Sequence, residues 1–127
     1  MTIMIAAAAL LAAAPPQAAD PQWVDLFELP DGAMTWYDPA SVVRGDGGIR
    51  VRLRARPGRS APPGPREFNS VEEIDCRRRA ARTIMLVADM DNGESITVPM
   101  EEEEAEAINP NSPLAALHAI VCPPSEV

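Results

Sequence analysis

Not one of the 127 residues is a lysine: all eleven basic residues are Arg, set against nineteen Asp and Glu for a formal net charge of −8. A general nucleic-acid binder needs surplus cations to neutralise phosphates, and this chain has the opposite balance. Histidine is almost missing too, with His118 alone. A Ser–His–Asp triad would have to use it. The nearest serine candidate, Ser41, follows Asp38-Pro39-Ala40, a turn that accounts for it without chemistry. No catalytic residue, enzymatic activity or cofactor is therefore expected. Cysteine occurs twice, as Cys76 and Cys122. Long apolar runs are also lacking. Residues 3–14 form the longest, which as a helix would reach about 18 Å, well short of the ~30 Å hydrocarbon core.

That run suits the h-region of a signal peptide. Pro15 and Pro16 end it, and Ala18 and Ala19 offer a cleavage site before Asp20. The segment ahead of the run has no Lys or Arg, which is unusual for such a peptide. The expectation is a signal peptide over residues 1–19 and a single domain over 20–127. It would be exported to the periplasm or cell surface, with no membrane span in the mature chain. No Cys follows the run to carry a lipid anchor.

Charge is unevenly spread. Residues 1–43 hold five acids and no base, 44–82 hold all eleven Arg against five acids, and 83–127 hold nine acids and no base. Either the segments lie side by side and offset one another, or a positive face is left for an anionic partner.

Several strands can be read directly. Residues 23–28 and 34–37 are short strands around the Pro30-Asp31-Gly32 turn. Asp38-Pro39-Ala40-Ser41 interrupts the second, and Val42-Val43 resumes it. After the turn Gly45-Asp46-Gly47-Gly48 comes the clearest strand, residues 49–56. Ile49, Val51, Leu53 and Ala55 alternate with Arg50, Arg52, Arg54 and Arg56, the period of a sheet with one buried and one wet face. Residues 57–66, with four Pro and two Gly, are an exposed loop. Residues 71–76 form the next strand. Residues 83–88 follow as a continuous apolar strand, expected to be covered on both faces. Asn92-Gly93 signals a type I′ hairpin into residues 96–98. The acidic run 101–106 reads as a frayed helical turn and solvated surface, without the spaced oxygen ligands of a calcium loop. Ser112 as N-cap and Pro113 at N1 open a helix to Val121, with Leu114, Leu117, Ile120 and Val121 as its apolar stripe. The fold class is α+β: an antiparallel meander of five to six strands, with a C-terminal helix packed on one face.

Several stretches resemble the surface-adhesin protein E-like family of small exported bacterial proteins. They are Trp23, Trp36-Tyr37-Asp38-Pro39-Ala40-Ser41-Val42, residues 49–54, Val71-Glu72-Glu73-Ile74-Asp75-Cys76, Asn111-Ser112-Pro113 and Leu117-His118-Ala119-Ile120-Val121-Cys122. The resemblance implies an envelope protein with a sheet, a C-terminal helix and a Cys pair, and a namesake that binds host matrix proteins. Two Cys in an exported chain most simply pair as a Cys76–Cys122 disulfide. The rival is a zinc site from Cys76, His118 and Cys122, the last two being four apart on one helix face. The candidate anion-binding residues are Arg50, Arg52, Arg54 and Arg56. The function expected is a non-enzymatic envelope module binding an extracellular protein or a sulfated glycan. The alternative is a structural or accessory periplasmic domain with no discrete ligand.

Overall fold

The computed structural model describes residues 20–100 and 103–126, so the expected signal peptide lies outside the described residues. Eight strands form one antiparallel sheet: β1 (Val24–Glu28), β2 (Met34–Tyr37), β3 (Val43–Gly45), β4 (Gly48–Arg56), β5 (Glu67–Asp75), β6 (Ala80–Asp89), β7 (Ser95–Pro99) and β8 (Glu106–Ala107). The order across the sheet is β1-β2-β4-β5-β6-β7. β3 follows β2 along the same side of β4, and β8 shares with β7 the same side of β6. The meander thus has eight strands in six positions, against the five or six expected.

The β2–β3 break has a local cause. Pro39 cannot donate to a ladder, and Asp38 caps a 3₁₀ turn over Pro39–Ser41 by accepting from Ala40 N–H at 3.1 Å. Ser41 Oγ donates to the Asp38 carbonyl at 2.7 Å and accepts from Arg52 N–H at 2.8 Å, which pins the excursion back onto β4. Past the break, Gly48 opens β4 at φ 127°, where a Cβ would strike the Ile74 carbonyl oxygen of β5.

The one α-helix among the described residues, α1 (Pro113–Val121), lies over β1 on one face of the sheet. Ser112 caps it by accepting from Ala115 N–H at 3.3 Å, and Pro113 fills N1. Its far end closes with Cys122 N–H donating to the His118 carbonyl, while Arg44 donates to that of Val121 at 3.0 Å. Leu117 and Val121 pack with Ile49, Val51, Leu53 and Ile74 as the core. The alternating apolar residues of β4 therefore do face the helix.

Four details depart from the sequence reading. Ile120 is 53% exposed, and His118, 1% exposed, takes its place in the stripe with Leu114, Leu117 and Val121. Those four residues follow the i, i+3, i+4, i+7 spacing of one helix face, which position 120 misses. β6 is interior in strand order, but none of residues 83–88 is buried, and Met85 is 45% exposed. The β6–β7 turn is not type I′, because Gly93 has positive φ (86°) and Asn92 does not. It is a three-residue loop in which Gly93 N–H donates to the Met90 carbonyl and Met90 N–H to that of Glu94. Finally, residues 103–105 form no helical turn, and Glu106–Ala107 pair instead with Ala81 and Ala80 of β6.

Candidate functional site: the open face of the sheet

Register decides what surrounds the Arg stripe. Arg50, Arg52, Arg54 and Arg56 all project from β4 on the face away from α1. Directly across on β5 are Glu73 beside Arg50, Val71 beside Arg52 and Asn69 beside Arg54. β6 continues the row with Arg82 beside Glu73, Met85 beside Val71, Val87 beside Asn69 and Asp89 beside Glu67. On the other side β2 sets Trp36 beside Arg54 and Met34 beside Arg56.

The four guanidinium groups are thus not equivalent. Arg50 Nε bonds Glu73 Oε2 at 2.9 Å, and Arg82 Nε bonds the other oxygen, Oε1, at 2.9 Å. Burial pushes the Glu73 carboxyl up, but hydrogen bonds and charge from Arg50 and Arg82 outweigh it and hold the group below its ordinary value. Arg54 is ion-paired with Glu67. Arg54 and Arg56 also flank the Trp36 ring, with guanidinium carbons 5.0 and 5.3 Å from its centroid. Arg52 and Arg56 make no ion pair among the described residues, and both are exposed. Over β4, β5 and β6 this face carries five guanidinium groups (50, 52, 54, 56 and 82) against three carboxylates (67, 73 and 89). At the sheet margin β1 adds Asp25 and Glu28, beyond Trp36 and Met34. The margin acids bring the face to five carboxylates for five guanidinium groups, and the cations on it without an ion partner are Arg52 and Arg56. Four residues apart, they are separated by about 13 Å along the strand.

Beside Arg52 the surface turns apolar. Val71, Met85 and Val87 line a depression of about 90 Å³ with Arg52 and Asn69. Sequence reasoning missed this ground, because residues 83–88 read as a strand covered on both sides. The alternation of Glu67, Asn69, Val71 and Glu73 was the available signal.

The remaining candidates have structural employment. Cys76 and Cys122 form a disulfide with a Cα–Cα distance of 5.7 Å. That removes both thiolates from the zinc set, and the described residues contain no group of three or more potential ligands placed to hold a metal. His118 Nε2 lies 3.0 Å from the Cys76 carbonyl oxygen. A carbonyl can only accept, so Nε2 carries the proton. His118 and Ser41 are thus engaged with different backbone groups and do not come together. Trp36 and Tyr37 face opposite sides of β2, as adjacent strand residues must: Trp36 the open face, Tyr37 the core.

On the helix side the sequence reading missed Glu72. Its buried carboxylate accepts from Thr83 Oγ1 at 2.9 and 3.0 Å and borders a cavity of about 240 Å³ that Glu103, Glu104 and Glu106 also line. Burial pushes its carboxyl up. Hydrogen bonds from Thr83 and Ser70 oppose that shift, and the charge on Glu103 adds to it.

None of the described helices is long and apolar enough to cross a membrane. No curated protein and no solved structure matches the chain significantly. The family model described as surface-adhesin protein E does match, over residues 23–123, a span that takes in the whole sheet, the disulfide and α1. The chain belongs to the surface-adhesin protein E family.

Proposed function

We propose that this surface-adhesin-like protein is a non-enzymatic, exported binding module, and that its open sheet face takes an anionic partner at Arg52 and Arg56. The observation that carries this reading is that Arg52 and Arg56 are exposed and have no ion partner among the described residues, on the face that no described helix covers. A guanidinium can engage a carboxylate or sulfate in bidentate fashion, so an acidic protein segment and a sulfated glycan both fit. Heparin retention across a salt series tests it. Arg52→Gln with Arg56→Gln should lower the eluting salt concentration and flatten the salt dependence, leaving the melting temperature within about a degree or two. Wild-type protein that ignores heparin, and acidic peptide as well, at low salt would sink this reading.

The alternative, a structural envelope domain with no discrete ligand, draws support from Arg50 and Arg54. Both are spent on Glu73 and Glu67 within the sheet. Arg54→Gln should accordingly lower stability more than heparin retention.

A further inference from the structure

The sheet has two margins, and they are treated differently. β1 is broken by a register shift between Asp25 and Phe27, carries Asp25 and Glu28, and lies under α1. Bulges, charges and covering elements are the usual means of stopping a free edge from pairing. β7 has none of these three, and its one guard is Pro99 at its last position. Its residues, Ser95-Ile96-Thr97-Val98-Pro99, are all exposed and uncharged, its register with β6 is unbroken, and no other described element pairs with it. Ile96 is 50% and Val98 41% exposed, both on the face whose other end α1 covers.

The hydrogen bonds fix which groups point outward. Met100 N–H donates to the Ile84 carbonyl, and the Glu94 carbonyl accepts from Met90 N–H. Backbone groups at 94, 96, 98 and 100 thus face β6, and those at 95, 97 and 99 face away. Pro99 stands at an outward position, where its missing N–H breaks no ladder bond. Acids bracket the strand: Asp91 and Glu94 precede it, Glu103 and Glu104 follow, and no base occurs from residue 83 onward. A second copy paired antiparallel about Thr97 would set acids against acids.

We propose that β7 is a docking edge on which an extended segment of another protein, apolar at alternate positions and basic at both ends, adds as a further strand. The site is separate from Arg52 and Arg56, so either assignment can fail alone. The probe is the synthetic nonapeptide Arg-Thr-Val-Thr-Ile-Thr-Val-Thr-Arg, titrated into the folded protein by NMR. Shifts and slowed amide exchange at Ser95 and Thr97 are expected. Thr97→Pro removes an outward donor but no bond to β6, and should weaken binding at least tenfold. N-methylating alternate amides of the peptide should do the same with the protein unaltered, which covers failure of the variant to fold. Replacing both terminal Arg by Glu should also weaken it tenfold. Absence of binding, or binding indifferent to both Thr97→Pro and N-methylation, overturns the proposal. So does concentration-dependent self-association that protects Ser95 and Thr97 without peptide, which would give the edge to a second copy.

Discussion

Adjacent residues of β5 send their carboxylates to opposite faces with opposite consequences. Glu73 is held ionised by Arg50 and Arg82, whereas Glu72 is buried against the helix side with hydroxyl partners and an acidic neighbour. A carboxyl whose folded pKa lies above its unfolded value contributes stability that is full below the unfolded value, 4.5, and lost as pH rises through the folded one. Glu72 therefore weakens the fold at neutral pH relative to its protonated form. Glu72→Gln, which keeps a partner for Thr83, should raise the melting temperature at pH 7.5, and the gain should shrink as pH falls toward 4.5. Glu73 acts in a different window. Its depressed pKa contributes stability above its ordinary value that is lost only in stronger acid. Thermal melts of both proteins from pH 7.5 to 4.5 check this; a variant less stable than wild type at pH 7.5 would contradict it.

Among the elements, β3 and β4 depend on one glycine. At Gly48 a side chain meets both a positive φ and the Ile74 carbonyl of the neighbouring strand. Gly47, next to it, has room, with Glu73 side-chain atoms 3.5 Å from an added Cβ. Gly48→Ala should cost about 1–3 kcal/mol and Gly47→Ala little, as measured by urea unfolding. The turn around these glycines was legible in the sequence, as was β4, because a strand with one wet face writes its period into Arg and Val. Pro39 announced the break before β3, and Ser112-Pro113 the start of α1. The sixth strand was harder. A run such as residues 83–88 shows what a strand could bury, not whether anything packs on its second face. His118 was legible as a satisfied, partly buried histidine at the border of the helix stripe, but its partner, the carbonyl of Cys76, was not. The Arg stripe was legible as a pattern, but its partial neutralisation was not. That depends on the β4–β5 register across the long loop of residues 57–66.

At the scale of the whole molecule, the disulfide ties the end of β5 to the end of α1 across 46 residues. Closing a loop of that length contributes about 4 kcal/mol in the chain-entropy model, a large part of the 5–15 kcal/mol typical of a domain. Reduction, or Cys76→Ser with Cys122→Ser, should lower the melting temperature by well over ten degrees, while a chelator leaves it unchanged. Denatured, non-reduced protein should yield no titratable thiol. The position of α1 has a further consequence, one of timing. The helix follows every described strand in the sequence, and it lies over β1. Until residues 113–121 are in place, Val51, Leu53 and Ile74 lack the cover of Leu117 and Val121, however well the strands have paired. The sheet cannot finish its core strand by strand; the core closes when the helix docks.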